Sequence, residues 1–282
     1  MGIRHVAMVF VVARALAGNS LADPAATSAE ANCAVPAPLS AIESALDRTT
    51  MRIQSGKPLT IVAIGSSSTL GVGASTPGMS YPSRLEQHLK ERFPGVEIHV
   101  INHGVGGQDV PEELTRLDRD VIAEHPDLVI WQVGTNAVLR RDDLSADEQL
   151  IRRGVSLMRE NGIDVVLMDL QYAPRVLARP ASADMERLLA GLAKQARVGL
   201  FRRFEIMQEW DRTRQLAPAA MISPDGLHMT DASYGCLADQ LAEALASNWS
   251  QEKVAKSTRR SPAALVGVRP AHTPPGVSSG LH

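Results

Sequence analysis

The stretch TIVAIGSSSTLGVGAS, Thr60 to Ser75, begins as an unbroken apolar run and then breaks into three consecutive serines among glycines. A short continuous apolar run closed by small turn residues is the pattern of a strand buried on both faces. Strands of that kind belong to parallel sheets covered by helices, which makes this segment the key to the fold.

Working outward, LTIVAIG (59–65) is followed by four further runs: VEIHVIN (96–102), DLVIWQVG (127–134), IDVVLMD (163–169) and VGLFRRF (198–204). Amphipathic stretches alternate with them at 81–93, 111–125, 146–162 and 183–197. Pro111 with its two following glutamates suits a helix start, and Asn161-Gly162 suits a helix end. Two more helices are expected over 39–54 and 231–249. Regular strand–helix alternation implies an α/β fold, a parallel sheet between helical layers, in one domain over 39–249.

The chain of 282 residues is 44% hydrophobic and 21% charged, an ordinary globular balance. A net charge of −2 and an aromatic content of 4% offer no basic, aromatic-studded face for nucleic acid. The first 22 residues, with Arg4, an apolar stretch and the small-x-small end Ser20-Leu21-Ala22, read as a secretory signal. That run is too short to remain as a membrane span. Export then places the chain in the periplasm or outside the cell. Residues 23–38 read as a flexible lead-in, and 250–282, rich in Pro, Ser and Gly and basic beyond Glu252, as a disordered tail. In an exported chain the even count of cysteines, Cys33 and Cys236, suggests a disulfide. Neither lies in a metal-ligand spacing, so no metal is expected.

In open parallel sheets, ligands bind where strands end and helices begin. The segments to inspect are therefore Gly65-Ser66-Ser67-Ser68-Thr69, Asn102 to Asp109, Gly134 to Val138, Leu170 to Val176 and Ser223 to Asp231. GSSSTLGVG lacks the Gly-Lys-Ser/Thr ending of a phosphate loop, and GVGG lacks the dinucleotide spacing, so no nucleotide or flavin cofactor is expected. Acyl transfer needs a hydroxyl nucleophile, a base, a group orienting the base and donors for the oxyanion. Of eight histidines, His5, His272 and His282 lie in the terminal segments, and His88 and His125 lie in helical stretches. His99 lies mid-strand, where it is expected to point into a packed layer. His103 reads as a loop-packing residue. His228 has Asp225 three residues before it in a loop, close enough to hold one ring nitrogen.

The blocks IVAIGSSSTLGVG, INHGVGGQD, WQVGTNAV and SPDGLHMT, in this order and spacing, resemble those of the SGNH hydrolases, also called the GDSL esterase/lipase family. The resemblance spans about residues 58–245. It implies a flavodoxin-like three-layer α/β/α sandwich with a five-stranded parallel sheet. It also implies a nucleophile at Ser67, an acid and base at Asp225 and His228, and oxyanion donors at Ser67, Gly107 and Asn136. The expected activity is cofactor-free hydrolysis of a carboxylic ester with a short acyl group through an acyl-enzyme, with O-acetyl groups on carbohydrate and lipid or aryl esters as the competing substrates. The alternative is a carbohydrate- or envelope-binding protein that keeps the fold without useful turnover. Two positions depart from the family: Ser66 replaces the aspartate of G-D-S, and Ala137 replaces the aspartate that often follows the oxyanion asparagine. Ser66 and Ser68 read as small residues filling a tight turn. Gly104 and Gly106 read as turn glycines, and Trp131 as core. Tyr172 and Arg175 could reach a substrate.

Overall fold

The computed structural model describes residues 1–2, 33–140 and 144–259, with side chains to residue 250. The signal read in the first 22 residues and the end of the tail lie outside the described residues. The apolar runs form five parallel strands: β1 (Leu59–Gly65), β2 (Ile98–Gly104), β3 (Leu128–Gln132), β4 (Asp164–Met168) and β5 (Gly199–Phe201). Their order across the sheet is β2-β1-β3-β4-β5. Every residue of β3 is buried, as is every residue of β1 except Thr60, which is why these two runs are almost purely aliphatic.

Helices cover both faces. Asp47–Gln54, Tyr81–Arg92 and Asp231–Arg259 pack together on one, while Val110–Leu114, Leu144–Glu160 and Ser182–Ala196 pack together on the other. This is a flavodoxin-like α/β/α sandwich. After β1 the chain moves one way to β2 and then returns to the other side of β1 as β3. The carboxyl ends of β1 and β3 therefore border the crevice where such sheets bind ligands.

The expected elements differ from the observed ones where local pattern competes with packing. β2 runs two residues later than its apolar run because it pairs with β1 as far as Gly65↔Gly104. It is an edge strand, so His99 does not enter a packed layer. Its side chain is 55% exposed, with Nε2 3.0 Å from Glu97 Oε1. β5 stops at Phe201, and Arg203–Arg212 is a helix where a strand through Phe204 was expected. The Asp169 carboxylate accepts the Phe204 N–H at 3.0 Å and caps that turn. The helix expected over 111–125 breaks into Val110–Leu114, Leu117–Asp120 and a single turn of 3₁₀ helix at Ile122–Glu124. The first break falls at Arg116, which is drawn into the interior. The helix expected over 39–54 opens between Ser40 and Asp47, where Ile42 and Leu46 enter the core. The last helix continues to Arg259, into the segment read as tail.

Cys33 and Cys236 are joined by a disulfide, with Cα atoms 5.4 Å apart. The bridge ties the lead-in segment to the last helix. Trp210 Nε1 adds a hydrogen bond to the Cys33 carbonyl at 2.8 Å.

Candidate active site

β1 ends at Gly65 and passes directly into the short helix Ser67–Leu70. Ser67 thus stands at a helix start, where the first N–H groups have no carbonyl partner within the helix. Its Oγ lies 2.9 Å from His228 Nε2. The other ring nitrogen, Nδ1, hydrogen-bonds to Asp225 Oδ2. A carboxylate only accepts, so Nδ1 carries the proton, and Nε2 is left as the acceptor for the Ser67 hydroxyl.

The Asp225–His228 loop is fixed by its own hydrogen bonds. Asp225 Oδ1 accepts from Ser223 Oγ at 2.7 Å and from the N–H groups of Leu227 and His228 at 2.8 and 2.9 Å. Partial burial alone would raise the Asp225 pKa. The bonds from the His228 ring, the two backbone N–H groups and Ser223 outweigh it, and the carboxyl is held well below its ordinary range. An ionised Asp225 is what a ring oriented this way needs.

The serines beside Ser67 do more than fill a turn. Both are buried, and their hydroxyls donate to one acceptor, Gln132 Oε1, at 2.9 Å from Ser66 and 3.1 Å from Ser68. The Ser66 N–H reaches the same oxygen at 3.0 Å. Ser66 therefore acts as a donor at the position where the family has an acceptor. Beneath Ser68 lies Arg203, fully buried, which donates to Ser68 Oγ at 3.0 Å and to Gln171 Oε1 at 3.0 Å. Burial lowers the guanidinium pKa, against the nearby Asp169 charge, which raises it. Ala137, at the second departure from the family, is fully buried.

Gly107 sits in the loop after β2 with φ +78°, a left-handed conformation that L side chains rarely adopt. Gly104 is not a turn glycine. A β-carbon there would stand 2.1 Å from the Leu70 nitrogen, so its absence lets the end of β2 close against the Ser67–Leu70 helix. Asn136 and Arg140 lie one helical turn apart on Thr135–Arg140, the helix that follows β3. Asn136 Nδ2 donates to the Gln108 carbonyl at 2.6 Å, and Arg140 donates to the Gly107 carbonyl. From the inner side Arg116 donates to the Gln108 side chain at 2.6 Å, to the His103 carbonyl at 2.7 Å and to the Gly65 carbonyl at 3.1 Å.

The structure thus brings Ser67, His228 and Asp225 into one hydrogen-bonded row and sets Asn136 against the Gly107 loop. His103 is a supporting residue whose ring faces Glu124 at 3.3 Å. Trp131 is core, with its indole N–H donating to Glu113 at 2.7 Å. Tyr172 packs edge-on against Phe204, and Arg175 supports the Asp225 turn by donating its N–H to the Gly226 carbonyl at 3.0 Å. Sequence reasoning missed Gln132, Arg203, Arg116 and Arg140. Gln132 left a signal, a lone amide at the end of an otherwise apolar buried strand; the arginines left none beyond their charge.

Residues 32–251 match the model of a family described as Non-GDSL lipase-like. That description agrees with Gly65-Ser66-Ser67, which has serine where G-D-S has aspartate. An arylesterase of Vibrio mimicus is 30% identical over 95 residues, covering 34% of this chain and 46% of the relative. An acetylxylan esterase of Geobacillus stearothermophilus is 33% identical over 100 residues, covering 33% of this chain and 46% of the relative. The aligned part is thus just under half the length of either curated relative. Among solved structures, a two-domain esterase active on acetylated mannans superposes with a TM-score of 0.62 at 22% identity, covering 74% of this chain and 55% of that one. At that identity the likeness is one of fold.

Proposed function

The chain belongs to the non-GDSL lipase-like family, and from that premise we propose that it is a serine esterase cleaving short-chain carboxylic esters through an acyl-enzyme. The observation that carries this reading is the row from Ser67 Oγ to His228 to Asp225, closed at 2.9 Å on the serine side. Ser67 Oγ attacks the ester carbonyl while its proton passes to His228 Nε2. Asp225 keeps the ring oriented and balances the imidazolium charge. The developing oxyanion accepts from the Ser67 N–H, the Gly107 N–H and the second Asn136 Nδ2 hydrogen, the first being held by Gln108. His228 then protonates the leaving alcohol, and water repeats the sequence to release the acid.

The passages from β1 and from β3 into their following helices are short, which supports a preference for acetyl to butyryl groups. O-acetyl groups on carbohydrate are a second reading, favoured by the relatives that act on acetylated xylan and mannan. The disulfide fits export to the periplasm or beyond. A panel of p-nitrophenyl esters from acetyl to hexadecanoyl, followed by rapid mixing, tests the proposal. A burst of nitrophenol on the short esters is expected. Hexadecanoyl rates above acetyl rates would refute the short-chain reading.

A further inference from the structure

The segment Leu170 to Val176 supplies no reacting group to the scheme above, yet it carries Gln171, an amide only 1% exposed. Its Oε1 accepts from two donors, Arg203 Nη2 at 3.0 Å and Thr135 Oγ1 at 2.9 Å. An amide oxygen has two lone pairs, so this acceptor is filled. Its Nε2 faces the Leu227 carbonyl at 3.5 Å, one residue before His228. The two donors lead to the two sides of the site. Arg203 Nη1 donates to Ser68 Oγ at 3.0 Å, and Ser68 is the residue after the proposed nucleophile. Thr135 is the residue before the proposed oxyanion donor Asn136.

The short helices after β1 and β3 are thus built alike. In each, a reacting residue has a hydroxyl residue for a neighbour, and adjacent residues of a helix point about 100° apart. Ser67 reaches His228 while Ser68 is buried; Asn136 reaches the Gln108 carbonyl while Thr135 is buried. Gly134 lets the chain turn from β3 into the second helix: its φ is +90°, and a β-carbon there would stand 2.8 Å from Met185 Cγ. The two buried hydroxyls are joined by one hydrogen-bonded path, Ser68–Arg203–Gln171–Thr135.

A path of this kind sets a distance. The nucleophile and the Asn136 amide come from different helices, and the oxyanion must meet donors from both within a narrow span. An apolar filler can serve stability as well as a buried charge does. Directional bonds through an amide and a guanidinium also fix how the two helices stand to each other. We infer that Gln171 is a positioning residue, which through Thr135 holds Asn136 in register with Ser67. This rests on the serine-esterase reading and adds to it a group that touches no substrate.

The test uses the full-length, disulfide-bonded protein with p-nitrophenyl acetate. Thr135→Val keeps the side-chain shape and removes the hydroxyl, and Gln171→Met removes the acceptor at similar length. Each should lower kcat/KM by about 10- to 100-fold, the scale of a small misplacement at the reacting centre. In an Asn136→Ala background neither should lower it further, because the donor they position is already gone. Thr135→Ser, which keeps the hydroxyl, should restore most of the activity. Thr49→Val is the control. It removes an equally buried hydroxyl, bonded to Asp164 at 2.9 Å at the amino end of β4, and should lower Tm without lowering kcat/KM. Where Gln171→Met does not fold, the Thr135 variants decide alone. Unchanged kcat/KM in Thr135→Val, losses that add fully to that of Asn136→Ala, or no recovery in Thr135→Ser would overturn the assignment while leaving the esterase reading standing. So would an equal fall in kcat/KM in Thr49→Val. No hydrolysis by the unmodified protein would overturn both.

Discussion

The turn carrying Ser67 and the turn carrying Gly107 lie side by side and are held in opposite ways. The first is held from beneath by buried groups: Gln132 collects the hydroxyls of Ser66 and Ser68, and Arg203 underlies Ser68. The second is gripped from its exposed side by Arg140, whose side chain is 43% exposed, and by Asn136, with Arg116 behind it. The turn carrying Ser67 shares its support with the core. The turn carrying Gly107 draws part of its support from a surface arginine. Damage to the first should therefore cost folding and activity together, and damage to the second should cost mostly activity.

The largest effects should come from the row itself. Ser67→Ala and His228→Ala should each lower kcat by about four or more orders of magnitude, and the double variant should be no worse, because the two act as a unit. Steady-state rates with matched circular dichroism check this, and additive losses would break the unit. Next comes the comparison of the two turns. Asn136→Ala should lower kcat about 100-fold or more. Arg140→Ala should lower kcat about tenfold, the scale of one neighbouring hydrogen bond lost from a transition-state donor, with Tm hardly changed. Gln132→Ala should lower activity and also reduce stability by about 1–3 kcal/mol, since buried donors lose their acceptor. Equal Tm losses in Arg140→Ala and Gln132→Ala would erase the distinction.

A smaller effect should be visible in pH. Burial pushes Glu113 up to about 8, despite the Trp131 hydrogen bond and the Arg116 charge that favour ionisation. The folded state therefore keeps a proton that the unfolded chain releases near pH 4. Stability from this group is complete below that pH and falls as pH rises towards 8. Glu113→Gln should flatten that fall in denaturant titrations between pH 4 and 8, and an unchanged slope would exclude Glu113 as its source. The smallest effects belong to Ser66→Ala and Ser68→Ala, each about 1 kcal/mol of stability with most activity kept.

The sheet was legible in the sequence because buried parallel strands are written as aliphatic runs, and β1, β3 and β4 stand out as such. The edge strands read less well. His99 is exposed because β2 has a neighbour on one side only, and β5 yields to a helix because Asp169, distant in sequence, caps it. The row of Ser67, Asp225 and His228 could be anticipated because each residue type is demanded by acyl-transfer chemistry at a strand end. Its supports could not. Gln132, Arg116, Arg140 and Arg203 reach the two turns through contacts 33 to 135 residues apart along the chain, and no local pattern records them. The flanking serines were read as space-fillers because size is visible in a sequence and a shared acceptor is not.

The central claim is that Ser67 forms a covalent acyl-enzyme with His228 as its base. Peptide mass mapping after reaction with a fluorophosphonate tests it most directly. One adduct per chain on Ser67, absent in Ser67→Ala and slowed by orders of magnitude in His228→Ala, is the expected result. An adduct on Ser66 or Ser68, or labelling of Ser67 unaffected by His228→Ala, would contradict it.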